Sequence, residues 1–135
     1  TKDDQDFVAA LLNNAELLQR AKEHLSDTGL KPSPLTTVLM QLFQFTDEAA
    51  AIYFEDDDAK SLYAAAANAE PIGAAGAALV EKQIRRLRKQ ALKEQSVLMQ
   101  QKVREAERAN DVILATQLAH DRFEIERQIQ QLGAT

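Results

Sequence analysis

The chain has 135 residues, of which 45% are hydrophobic, with no cysteine and a formal net charge of −5. That length suits one ordinary domain able to bury a modest core without metals or disulfides. The missing cysteine excludes a disulfide framework, thiol nucleophiles and thiolate zinc sites, and it suits a reducing cytoplasm. No apolar run approaches the ~20 residues of a membrane span, and "TKDDQDF" lacks the basic-then-apolar order of a signal peptide. The expectation is a soluble cytoplasmic protein. A start at Thr1 rather than methionine points to processing or to a segment of a longer protein.

The net charge hides a division along the chain. Residues 1–70 carry 5 basic and 13 acidic side chains, residues 71–108 carry 9 and 4, and residues 109–135 carry 2 and 4. A basic run of this kind marks either a partner or nucleic-acid surface, or more simply a solvated helix face.

In chain order, Phe7, Val8, Leu11, Leu12, Ala15, Leu18 and Leu25 recur at spacings of three and four behind Asp3 and Asp4, which predicts a first helix over 4–25. "SDTGLKPSP" breaks the pattern. Ser33 before Pro34 fits an N-cap with proline at the first helical position, and Leu35, Val38, Leu39, Leu42 and Phe43 predict the buried side of a second helix. "FTDEAAAIYFEDDDAKSLYAAAANAEP" predicts two short helices, one capped by Thr46 and one by Asp57 or Asp58. Nothing alternates with period two, so the fold class is all-α.

From Ala77 to Ala109 there is neither glycine nor proline, which predicts a helix about 50 Å long at ~1.5 Å per residue. Its apolar stripe moves. Val80, Ile84, Leu87 and Ala91 keep one seam, while Leu92, Ser96, Met99, Val103 and Ala106 keep another displaced by one residue, about 100° around the helix. "RAND" supplies a turn, with Asn110 suited to the left-handed conformation and Asp111 placed to cap the next helix. The last helix carries Leu114, Leu118, Ile125, Ile129 and Leu132, spaced to pack antiparallel on Met99 and Val103. The expected organisation is a helical bundle over residues 1–90 and a hairpin over 91–135, with the boundary inside the long helix.

Catalytic equipment is thin. His24 and His120 lie in distant segments, and His120 with Glu124 one turn away is the one ligand-compatible pair. The "EDDD" run from Glu55 to Asp58 lacks the alternating oxygen ligands and glycine of a calcium loop. "PIGAAGAAL" has neither a preceding strand nor a P-loop lysine. The expectation is a non-enzyme without metal, cofactor or small-molecule substrate.

The order of parts, with "LLNNAELLQRAKEHL" near the start, a long basic helix and a closing "VREAERANDVILATQLAHDRFEIERQI" hairpin, resembles the C-terminal helicase-binding domain of bacterial replicative primase, the DnaG type. The resemblance covers nearly the whole chain and rests on helical periodicity. It implies a domain without polymerase chemistry that docks on the N-terminal domains of the hexameric replicative helicase, DnaB type, with the hairpin supplying most of the attachment. With the seam buried, the other face of the last helix shows His120, Glu124, Arg127, Gln128 and Gln131 as the expected partner-binding groups. Two alternatives stay open. One is a generic helical adaptor or a helicase N-terminal-like domain. The other is a nucleic-acid binder using Lys82, Arg85, Arg86, Arg88, Lys89 and Lys93, although that face has no interleaved aromatic for stacking.

Overall fold

A computed structural model of the chain describes residues 2–26, 28–44, 54–70, 73 and 75–133. Among these residues there are six α-helices and no strand: α1 (Lys2–Leu12), α2 (Ala15–Leu25), α3 (Pro34–Gln44), α4 (Asp57–Ala67), α5 (Ala75–Arg108) and α6 (Val112–Gly133). The fold is all-α. The chain divides into two compact units, Thr1–Ile84 and Arg85–Thr135, so the division falls within α5.

The expected single helix over 4–25 is two helices. Asn14 adopts an extended backbone, and its side chain accepts hydrogen bonds from the amides of Glu16 and Leu17 at 3.0 and 3.2 Å. That satisfies two of the donors a helix start leaves unpaired. Asn13 closes α1 from the other side, its side-chain amide donating to the Ala9 carbonyl at 2.7 Å. Two adjacent asparagines thus outbid continuous helical periodicity, because each supplies a side-chain bond that competes with the backbone ladder.

Helix α1 is the centre of the first unit. It packs on α2, α3 and α4, and α3 packs on α2 and α4. Five consecutive residues, Phe7 to Leu11, are buried. A helix shielded over so much of its circumference must be surrounded rather than laid on a surface. Leu18, Ala21 and Leu25 of α2 and Leu35, Val38, Leu39, Leu42 and Phe43 of α3 complete the core, with the α3 set as the spacing predicts. Ser33 caps α3, its hydroxyl accepting from the Thr36 amide at 3.1 Å. The cap of α4 is Asp56, which accepts from the Asp58 amide, rather than Asp57 or Asp58 themselves. Those two instead lie in the first turn, where carboxylates face the positive end of the helix dipole. The helix expected behind Thr46 falls outside the described residues.

The start of α5 belongs to this unit. Val80 and Ile84 are buried, and Glu81 forms a bidentate ion pair with Arg20 of α2. The Glu81 hydrogen bond and charge raise the Arg20 pKa further above its already high ordinary value. A cation whose folded-state pKa is raised contributes stability that is fully present below its unfolded pKa and lost only in strong alkali, so this pair's guanidinium is constant across the neutral range. The pair is exposed, which keeps its contribution small.

The second unit is an antiparallel hairpin of α5 and α6. Asn110, with φ 58°, takes the left-handed conformation that ends α5, and the Asp111 amide donates to the Ala106 carbonyl at 2.9 Å. The Asp111 carboxylate then accepts from the Leu114 amide at 3.1 Å and starts α6.

Two stability predictions follow from these positions. Phe7→Ala empties a fully enclosed site and should cost roughly 3–5 kcal/mol in urea unfolding. At Asn110, replacement by glycine should leave the unfolding midpoint unchanged or raise it, while Asn110→Val, forced into a positive φ, should cost about 1–3 kcal/mol in the same assay.

Candidate docking surface on the helical hairpin

The alignment of the two hairpin helices is marked by contacts between them. Ser96 donates to the Glu126 carboxylate, and Arg122 Nε donates to Ser96 Oγ at 3.3 Å. At the far end, a Cβ on Gly133 would lie 3.1 Å from Lys89 Nζ, so that ammonium rests against the last turn of α6. There it meets the negative end of the helix dipole. This register sets Ala106 opposite Ala115 and Val103 opposite Leu118, with Leu92 opposite Ile129.

Burial along the hairpin is thin. Ile129 is buried, whereas Met99, Val103, Leu118, Ile125 and Leu132 are half-buried. Leu114, expected in the seam, is 43% exposed, and Ala115 is buried in its place. The reason is the cap: Asp111 fixes where α6 begins and hence its phase, and that phase turns the residue after Leu114 toward α5. Ala106 and Ala115, both small, are buried next to the turn.

The residues expected to meet a partner lie on the surface. His120, Arg127, Gln128 and Gln131 are exposed and Glu124 is half-buried. Glu124 and Arg127 are not independent, because Arg127 Nη2 donates to Glu124 at 2.8 Å one turn away. A partner must therefore accept this pair intact or replace both halves.

Beside them stand apolar groups that the sequence reading did not place on the surface. Val112 is 73% exposed, Ile113 84% and Phe123 64%. Val112, Thr116, Ala119 and Phe123 follow one another at steps of four, three and four, so they share one stripe of α6. A shallow cavity of about 310 Å³ opens along its upper part, lined by Glu107, Asn110, Val112, Ala115, Thr116 and Ala119. On α5, Val97 and Leu98 are a little over half exposed. They line a shallow cavity of about 470 Å³ with Gln90, Lys93 and Glu94. A signal for Phe123 existed in the sequence. It stands one position past Arg122 and two before Ile125, off the three-and-four spacing of the seam.

The alternative basic face is more occupied than its composition suggests. Lys82, Arg86 and Lys93 are exposed, and Arg85, Arg88 and Lys89 are half-buried. Arg85 and Arg86 both have interaction partners within the structure, and Lys89 is placed at the end of α6. The run therefore serves the fold at several of its positions.

Among the described residues no group of three or more His, Cys, Asp or Glu is arranged to hold a metal ion. His120 and Glu124 thus gain no third ligand there. Among the same residues no helix is long and apolar enough to cross a membrane. Comparison of the chain with protein-family models, with curated proteins and with solved structures found no match.

Proposed function

We propose that this chain is a non-catalytic protein-protein interaction domain that docks through its C-terminal hairpin. The observation that carries this reading is the exposure of Val112, Ile113 and Phe123 on a hairpin whose own seam is built from smaller or half-buried groups. Large apolar side chains held on an ordered helix, rimmed by His120, Glu124 and Arg127, have the composition of an interface centre with a polar margin. The sequence resemblance supplies the partner: the N-terminal domains of the hexameric replicative helicase of the DnaB type, with the chain serving as the helicase-binding domain of a DnaG-type primase. In that role it recruits primase to the replication fork in the cytoplasm and modulates helicase activity and primer synthesis. The nucleic-acid alternative draws less support, since Lys89 and the two partnered arginines are engaged within the chain.

The test mixes the full chain with the replicative helicase hexamer of the same organism and follows co-elution by size-exclusion chromatography with light scattering. Co-elution of the intact chain is expected, together with its loss on truncation after Asn110. Phe123→Ala should weaken binding about tenfold, the scale of a modest interface anchor, while helix content stays unchanged. Absence of co-elution at low salt, with salt-sensitive binding to single-stranded DNA or RNA instead, would overturn the docking assignment and make Lys82, Arg86 and Lys93 the working surface.

A further inference from the structure

A hairpin of two helices has two flanks, and one of them carries charges and apolar groups in a self-matching order. A residue one position beyond a seam residue lies about 100° further round its helix. Because α5 and α6 run antiparallel, that step turns toward the same flank on both. On α5, beyond Leu92, Ser96, Met99, Val103 and Ala106, it leads to Lys93, Val97, Gln100, Arg104 and Glu107. On α6 the corresponding residues are Val112, Thr116, Ala119, Phe123 and Glu126. Gln100 and Glu126 are half-buried and the others are exposed. Both shallow cavities reach this flank: Lys93 and Val97 line one, and Glu107, Val112, Thr116 and Ala119 line the other.

The charges on the flank balance, with Lys93 and Arg104 against Glu107 and Glu126. They are also ordered about one level. Lys93 and Glu107 stand equally far on either side of Gln100 along α5, each about 10 Å away at ~1.5 Å per residue. With Val103 opposite Leu118, Gln100 is level with Asp121, and Ala119 and Phe123 stand equally far on either side of Asp121 along α6. A two-fold axis crossing the flank at this level lays α5 of one copy antiparallel on α5 of another, and α6 on α6. Lys93 then meets Glu107 of the second copy, Arg104 comes level with its Glu126, and Phe123 rests over its Ala119.

We propose that this flank pairs with a second copy of the chain, closing two hairpins into an antiparallel four-helix bundle. A two-fold interface must be complementary to itself, and the reversal of charge from Lys93 to Glu107 meets that requirement, as does the large-on-small match of Phe123 with Ala119. Four helices also share an interior that two lack, so Val97 and Phe123 are covered without change to the hairpin's own seam. The contact involves one side of two short helices, a small interface, and the dimer therefore forms in proportion to concentration. The proposal does not rest on the docking reading. It uses the same stripe of α6, so pairing with a copy and docking on another protein through that stripe exclude one another.

The test is sedimentation equilibrium of the full chain over about a hundredfold range of concentration, where a monomer–dimer equilibrium is expected. Lys93→Glu and Glu107→Lys singly each set like charges against one another at two symmetry-related places and should weaken the dimer about tenfold or more at low salt. The double variant should restore the parental dissociation constant. Within one chain the two residues are about 21 Å apart at ~1.5 Å per residue, so rescue arises only between copies. Phe123→Glu should leave a monomer, with helix content by circular dichroism unchanged in all four variants. A chain that stays monomeric throughout the range overturns the proposal, as does a dimer whose strength ignores the single reversals or is not rescued by the double one. A dimer that follows the charge exchange while the helicase fails to co-elute supports the pairing and removes the docking assignment alone.

Discussion

Two helices side by side share a single seam, and much of what the second unit displays follows from that constraint. A helix offers its neighbour a stripe about 100° wide, so most of its circumference faces elsewhere. In the first unit this is no limitation, because α1 is covered by α2, α3 and α4 and buries five residues in succession. In the hairpin, α6 buries only Ala115 and Ile129. Any apolar residue off the seam is left outside, and Val112, Ile113 and Phe123 on α6, with Val97 and Leu98 on α5, are there for that reason. The same class of side chain is core in one unit and surface in the other. Topology decides between them.

Helix α5 runs through the division between the units at Ile84 and Arg85, and its apolar stripe changes phase further along, at Leu92. Val80, Ile84, Leu87 and Ala91 are all buried, at 0 to 8% exposure. From Leu92 the seam continues one residue out of step, with Ser96 and Ala106 as its buried members. A helix free of proline and interior glycine carries both stripes without interruption, so the shift is a rotation of about 100° in which residues are used, not a break in the backbone. The charged residues around the shift are drawn into the structure as well: Glu81 pairs with Arg20, and Lys89 stabilises the end of α6. Of the basic run, Lys89 is thereby accounted for by the helix dipole, and Arg85 and Arg86 have interaction partners within the structure, which composition alone could not distinguish from a binding face.

Elements fixed by strong local chemistry were legible in the sequence. The Ser33–Pro34 start of α3, the left-handed Asn110, the Asp111 cap and the apolar stripe of α3 each follow from one residue type at one required position. The misses share a cause, which is competition between signals of similar strength. Leu11, Leu12, Ala15 and Leu18 keep helical phase straight through Asn13 and Asn14, so periodicity concealed a break made by two side-chain caps. In the acidic run the choice of Asp56 over its neighbours turns on backbone conformation that three adjacent aspartates do not reveal. Leu114 and Ala115 exchange roles because the seam was read from side-chain size, whereas the cap at Asp111 sets the phase. The polar residues of the candidate surface were legible as an outward face. The apolar ones were legible only as lying off the seam, since a phenylalanine carries no mark of whether a third element covers it.

That difference bears on how the surface would work. His120, Gln128 and Gln131 are solvated before any encounter, and Arg127 and Glu124 already satisfy one another, so their transfer to a partner exchanges bonds of similar worth. On the proposed reading, the net gain on binding would come chiefly from apolar area, to which the stripe from Val112 to Phe123 contributes. It extends about 16 Å at ~1.5 Å per residue, the reach of a few turns of a partner helix rather than of a broad obligate contact. The polar residues would then set orientation and the apolar stripe the affinity. On the proposed reading, a hairpin of this kind would bind reversibly, because the apolar area it leaves exposed is limited to a short stripe.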